Sequence, residues 1–185
     1  MQSLLPDNRT RLIAVMLILA ALSRLLPHPD NFAPIGAIAL FGGCYINNKR
    51  MAFFIPMAIM FFTDLMLQLF NGNGFHPIML WVYASFAIIT CLGFYLRGRE
   101  QRQNIMVASL TGSIIFFLVT NFGQWATGYY GYDNGSLIRS FVEAIPFFRG
   151  TIMGDLFYNL VLFGSFALIK SYYPSLSKAR VEQGK

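Results

Sequence analysis

Long apolar runs alternate with short polar stretches along the whole chain. A transmembrane helix needs about 20 predominantly apolar residues. Five runs come near this length, and a sixth, residues 32–46, is shorter. The pattern predicts an all-α integral membrane protein with six transmembrane helices, the second one short, in a single membrane domain over residues 1–185. The predicted spans are residues 12–26, 32–46, 51–70, 78–96, 105–125 and 151–170.

The composition agrees with this pattern. Of the 185 residues, 56% are hydrophobic and only 12% are charged, whereas a soluble domain carries about 25% charged residues. The sequence contains no GxxxxGK[ST] phosphate-binding motif, so the chain cannot itself power transport by ATP hydrolysis. Its two histidines are dispersed and form no metal-binding pattern. We therefore expect neither a metal nor a cofactor.

The basic residues predict the orientation of the spans. If the N-terminus lies inside, eleven lysines and arginines fall on the cytoplasmic side and three fall outside, namely Arg24, Arg139 and Arg149. Cytoplasmic loops of membrane proteins carry such an excess of positive charge. The sequence therefore predicts a multi-pass protein of the bacterial cytoplasmic (inner) membrane with both termini inside. The net charge of +6 is a topology signal, and we expect no nucleic-acid partner.

Four predicted helices bring a polar residue to a similar depth in the outer third of the membrane. Measured along each helix from the nearest cytoplasmic basic residue, the distances are about 20 to 28 Å at a rise of about 1.5 Å per residue. The four residues are Arg24, Asp64, Asn121 and Asp155. Ionisable residues inside a membrane are costly and usually functional. The sequence therefore predicts a polar pocket that opens outward.

Further candidates follow from helical spacing and from the polar segment "PHPDN". Residues three and four apart share a helix face. Gln124 and Trp125 therefore share a face with Asn121, and Asn159 shares one with Asp155. The predicted substrate-binding residues are Arg24, His28, Asn31, Asp64, Asn121, Gln124, Trp125, Asp155 and Asn159. We expect Arg24 to meet an anionic group, the aspartates to accept donors or balance Arg24, and Trp125 to stack on the solute.

The segment after the first span is expected to form a rigid edge of this pocket. Pro27 and Pro29 prevent the helix from continuing, and Asp30 or Asn31 could cap the short helix that follows. The small residues of "GAIALFGG" allow close helix packing, which we expect to occur within the bundle. In the long outer connection, Thr127–Gly150, residues 136–144 form an amphipathic piece. That connection could be an interfacial aromatic belt or a gating loop.

Four motifs carry a family resemblance: "RLLPHPDNFAPIGAIALFGG", "FFTDL", "TNFGQW" and "AIPFFRGTIMGDLFYNLVLFG". Together they resemble a family of small bacterial membrane proteins assigned to transport, without an established substrate. That family is similar to the substrate-binding S components of energy-coupling-factor transporters. The resemblance implies a six-helix bundle, an outward-facing pocket for a small polar organic solute, and a membrane coupling subunit with ATPases as a partner.

Two other functions remain open from the sequence. Two intramembrane aspartates at one depth could share a proton and activate water, as in an intramembrane hydrolase with an Asp64/Asp155 dyad. The GxGD pattern of such proteases is incomplete, because Ile152 stands in place of its first glycine. The other alternative is a membrane scaffold without transport, in which the polar cluster only fixes helix packing. We expect no enzymatic activity.

Overall fold

The computed structural model of the chain describes residues 8–72 and 74–176, and these residues fold into helices without a β-strand. Short 3₁₀ turns follow the first and the last helix, at Ser23–Leu25 and Pro174–Leu176. The all-α fold is therefore confirmed. The helices are α1 (Asn8–Leu22), α2 (Ile35–Tyr45), α3 (Lys49–Asn71), α4 (Met79–Tyr95), α5 (Arg102–Ala126), α6 (Asn134–Val142) and α7 (Ile145–Tyr172).

Two predicted boundaries near the polar segment were wrong. Helix α1 ends at Leu22, because residues 23–25 tighten into a 3₁₀ turn before Pro27. Helix α2 begins only at Ile35, with Pro34 as its N-cap and without a side-chain cap, so neither Asp30 nor Asn31 caps it. Asn31 instead takes the left-handed conformation, with φ of 57°, which asparagine tolerates better than most residues.

The last helix is longer than the sequence pattern indicated. Helix α7 begins at Ile145, with Pro146 in its first turn, rather than at residue 151. Proline is favourable there because the first N–H groups of a helix have no intrahelical partner. The amphipathic piece forms a separate short helix, α6, whose N-cap is Asp133.

Three helices are long and apolar enough to cross a membrane: Lys49–Phe70, Arg102–Ala126 and Ile145–Tyr172. Helices α2 and α4 are apolar but shorter. Large apolar side chains on the outside of the three long helices are exposed, among them Leu69 at 75% and Leu160 at 73%. Exposed apolar surface on this scale marks a contact with lipid or with another protein. The finding indicates association with a membrane.

One end of the bundle collects the basic side chains, and we call it the basic end. There Arg9 Nη1 donates to Asn47 Oδ1 at 3.2 Å, and the Lys170 ammonium lies 5.2 Å from the centre of the Tyr45 ring. Arg97, just after α4, donates to carbonyl groups at the end of α2. The start of α1 and the ends of α2, α4 and α7 therefore meet at this end.

Helix α2 lies at the centre of the bundle, because all of its residues from Ile35 to Tyr45 are buried. It crosses α4 at Gly43 and Gly93, where a Cβ on Gly93 would lie 2.9 Å from Gly43 Cα. On another side, a Cβ on Gly42 would lie 3.0 Å from Pro56 Cγ of α3. The small residues of α2 thus pack within the bundle, as predicted.

The crossing of α2 and α4 yields a first prediction. We expect Gly93→Ala to lower the free energy of unfolding by about 1–3 kcal/mol, since the added methyl group meets the backbone of α2 and forces the helices apart. Thermal unfolding of the purified protein in detergent measures the change.

Gly164→Ala on α7 is the matched control, because no described atom lies within 4 Å of the added Cβ. It should be neutral or stabilise by up to about 1 kcal/mol through helix propensity. Equal melting temperatures for the two variants would contradict the close crossing.

Candidate functional site

A buried ion pair joins the end of α1 to α3. Arg24 Nη1 donates to Asp64 Oδ1 and also, at 3.0 Å, to Thr63 Oγ1. Asp64 is only 1% exposed, and the Tyr83 hydroxyl of α4 donates to its second oxygen at 3.2 Å. A buried carboxylate is tolerated when it is paired and fully hydrogen-bonded. This pair therefore ties three helices together at one level.

The 3₁₀ turn after α1 positions Arg24 for this contact. Ser23 Oγ donates to the Ala20 carbonyl at 2.6 Å and lies 2.9 Å from the Tyr158 hydroxyl of α7. The turn is thus held by the first and the last helix together. Since Nη1 makes both described bonds of Arg24, the other guanidinium N–H groups remain for a ligand.

A cavity of about 430 Å³ lies next to this pair, within the range of small-molecule sites. Its wall is mostly apolar and includes Met60, Ile78, Val82, Phe86, Ile89 and Phe116. Its polar lining comes from Arg24, Asn31, His76, Thr120, Asn121, Thr151 and Asp155. A mainly apolar cavity with a few polar groups from different elements is the usual form of a ligand site.

Asp155 of α7 lies in the cavity wall and is 5% exposed. Its Oδ2 atom accepts a hydrogen bond from Ser113 Oγ at 2.6 Å. Its other oxygen lies so close to Gly36 that a Cβ at that position of α2 would force the Asp155 side chain to move. Among the described residues, no lysine, arginine or histidine forms an ion pair with Asp155.

The start of α2 faces this carboxyl group, because Gly36 is the second residue of that helix. The N-terminus of a helix carries a partial positive charge of about half a unit. At the opposite end of α2, Arg97 Nη2 donates to the carbonyls of Gly43 and Ile46 at 2.8 and 2.6 Å. The positive end of the α2 dipole therefore lies at the Asp155 carboxyl group.

A polar chain continues behind Asp155, between α5 and α7. Ser113 Oγ also lies 3.2 Å from the Ser109 carbonyl, and Asn159 Nδ2 donates to Ser109 Oγ at 2.9 Å. The Oδ1 atom of Asn159 is buried without a hydrogen-bond partner among the described residues. This chain holds the two helices together behind the cavity wall.

Of the residues predicted from the sequence, the structure places Arg24, Asn31, Asn121 and Asp155 in the cavity lining. Two others stand directly behind the lining, Asp64 behind Arg24 and Asn159 one helical turn after Asp155. Arg24 contacts Asp64, so these two side chains lie at one level of the bundle.

Three predicted residues lie outside the cavity lining: His28, Gln124 and Trp125. His28 is exposed, and its Nδ1 atom lies 2.9 Å from the Pro29 carbonyl. Trp125 packs against Phe122, with ring centres 5.4 Å apart. The helical spacing from Asn121 placed Gln124 and Trp125 on a shared face with it, but of these three residues only Asn121 lines the cavity.

The sequence did not identify His76, which follows α3 and lines the cavity. Loss of water contacts around the imidazole lowers the pKa of His76 from its ordinary value, opposed by the charge of Asp64 and reinforced by that of Arg24. The neutral form of the ring is therefore favoured. The only signal was a histidine in the turn directly after the helix that carries Asp64. A turn has no periodicity from which the direction of a side chain could be predicted.

The two aspartates have separate hydrogen-bond partners in the described structure. Asp64 is bonded to Arg24 and Tyr83, whereas Asp155 is bonded to Ser113. Two carboxyl groups that share a proton have to contact each other. Asp64 also does not line the cavity.

The comparisons with known proteins identify one family. A family model described as "Family of unknown function (DUF6580)" matches residues 5–176. No curated protein and no solved structure matches the chain.

The buried ion pair yields a second prediction. We expect Asp64→Ala to lower the free energy of unfolding by about 3 kcal/mol, because it leaves the mostly buried Arg24 guanidinium without its counter-charge. Denaturant titration in micelles measures the loss, and the double replacement Arg24→Met with Asp64→Leu should recover most of it.

The exposed pair of Arg139 and Glu143 on and after α6 provides the control. Its atoms are 3.5 Å apart and both side chains are more than half exposed, so Glu143→Ala should cost less than about 0.5 kcal/mol. A loss for Asp64→Ala as small as this would show that the buried pair does not stabilise the bundle.

Proposed function

The chain belongs to DUF6580, a family of unknown function, and we propose that it is a membrane transporter or the substrate-binding subunit of one. It takes up a small polar organic solute through an intramembrane pocket. The observation that carries this proposal is the cavity of about 430 Å³, to which separate helices contribute buried polar side chains. A bundle in which polar groups only fix helix packing needs no solute-sized space beside them.

In the proposed arrangement, six helices cross the bacterial inner membrane, and α6 lies at its outer surface. The basic end of the bundle faces the cytoplasm in accordance with the positive-inside rule, so both termini are cytoplasmic and the cavity opens outward. The gathering of Arg9, Arg97 and Lys170 at one end supports this orientation. The apolar outer faces of α3, α5 and α7 then contact lipid.

The energy for uptake comes from outside this chain, because the sequence has no nucleotide-binding motif. The resemblance to S components favours a membrane coupling subunit with ATPases as the partner. The small residues of α2 are buried at the centre of the bundle. A coupling partner therefore docks on the outer face of another helix.

The separate partners of Asp64 and Asp155 favour solute binding over a hydrolase. Asp64 is held by Arg24 and Tyr83, and neither of these contacts involves Asp155. The cavity wall thus presents one carboxyl group rather than a catalytic pair.

The orientation yields a third prediction. In a background with Cys44→Ala and Cys91→Ala, a membrane-impermeant maleimide should label His28→Cys in intact cells and should label Gln103→Cys only after lysis. Both residues are exposed, at opposite ends of the bundle. Labelling of both in intact cells, or the reverse pattern, would contradict the proposed topology.

The cavity yields a fourth prediction. Native mass spectrometry of the gently purified protein should detect a co-purifying small molecule, and Ala144→Trp should remove it, because Ala144 lines the cavity and an indole fills the space. Ala167→Trp, on the exposed face of α7, is the matched control and should retain the molecule. Equal occupancy in both variants would contradict binding in this cavity.

A further inference from the structure

The charge of the preferred solute follows from the groups that face the cavity. Three titratable side chains line it: Arg24, His76 and Asp155. Partial loss of water contacts lowers the pKa of His76 and favours its neutral form. The electrostatic preference of the site therefore depends on whether Arg24 and Asp155 are already neutralised by neighbouring side chains.

The charge of Arg24 is neutralised inside the protein. Its Nη1 atom bonds Asp64, and Asp64 also accepts a bond from Tyr83. An anionic solute would have to compete with a buried, doubly hydrogen-bonded carboxylate for the guanidinium. Arg24 can still donate a hydrogen bond to a solute, but it supplies no net positive charge to the cavity.

The charge of Asp155 has no such counterpart. Its described side-chain partner is the neutral Ser113 hydroxyl, and the start of α2 offsets only part of a unit charge. An ionised carboxylate in low-dielectric surroundings is strongly stabilised by a cation. With the Arg24–Asp64 pair summing to zero, Asp155 is the group that sets the net charge of the cavity, and a bound cation stabilises its ionised form.

The apolar wall adds a second preference for a cation. Phe86 and Phe116 line the cavity and are stacked, with ring centres 5.3 Å apart and planes inclined by 26°. Phe117 and Phe148 also line it, with ring centres 4.6 Å apart. Aromatic faces attract cations and pack well against flat apolar groups.

We propose that the cavity binds an amphipathic organic cation, with its amine at the Asp155 carboxylate and its apolar body against the phenylalanine wall. This inference rests on the proposed function and names the substrate class of the same site. It also assigns the two charged residues different roles. Asp155 recognises the charge of the solute, whereas Arg24, which Asp64 holds from behind, forms part of the wall beside it.

Three small molecules with one ring system and different charge test this proposal: tryptamine, its neutral alcohol analogue tryptophol, and the anion indole-3-acetate. Binding to the full chain in nanodiscs at pH 7 is measured by isothermal titration calorimetry. We expect tryptamine to bind at least about tenfold more tightly than tryptophol and indole-3-acetate not to bind. Equal or tighter binding of the alcohol or the anion would overturn the proposal.

The isosteric variant Asp155→Asn assigns the preference to one carboxylate. It should reduce tryptamine affinity to that of tryptophol while leaving tryptophol affinity unchanged, and Glu143→Gln, an exposed carboxyl group outside the cavity lining, should change neither. A cation preference that persists in Asp155→Asn would overturn the assignment. If Asp155→Asn does not fold, the preference of the unmodified chain among the three compounds still decides the charge class.

Failure of this inference is distinguishable from failure of the proposed function. If none of the three compounds binds, the cation proposal is overturned, whereas a co-purifying solute that Ala144→Trp removes would still support a solute-binding cavity. If the cavity holds no solute in either measurement, both proposals fail.

Discussion

Because every residue of α2 from Ile35 to Tyr45 is buried, each side of this helix has to be covered by another part of the chain. Glycine allows the closest approaches, at the crossing of Gly43 with Gly93 and at the contact of Gly36 with Asp155. A helix that is apolar on all sides is stable only in such a central position. The cavity exists because α2 begins only at Ile35, so the helices around its first turn converge on space that α2 does not fill.

Charged side chains lie at both ends of this central helix. Its start faces Asp155, and its end is satisfied by Arg97, which donates to the carbonyls of the last turn. Buried polar groups away from water have to find partners within the protein. Several of these partners come from another helix, as for Arg24 with Asp64 and Asn159 with Ser109. Polar contacts thus fix the relative level of helices whose apolar surfaces alone would allow sliding.

The sequence predicted the helices and the level of a residue along each helix better than the direction in which its side chain points. Counting residues along each span brought Arg24 and Asp64 to one level, and the two side chains are in contact, because the rise per residue is constant. Trp125 lies outside the cavity although it shares a helix with Asn121, since its direction depends on how Phe122 and Trp81 pack between α4 and α5. The sequence also did not show whether Arg24 pairs with a solute or with Asp64, because two residues at the same depth need not be in contact.

The length of α2 also bears on how the chain enters a bilayer. Its eleven residues extend about 16 Å, roughly half of a hydrocarbon core about 30 Å thick. Such a segment cannot be inserted as an independent span, and it leaves the site of synthesis before the glycine of α4 that it packs against. In the proposed topology, α2 therefore waits at the membrane surface until α3 and α4 have entered, and the order of insertion differs from the order of synthesis.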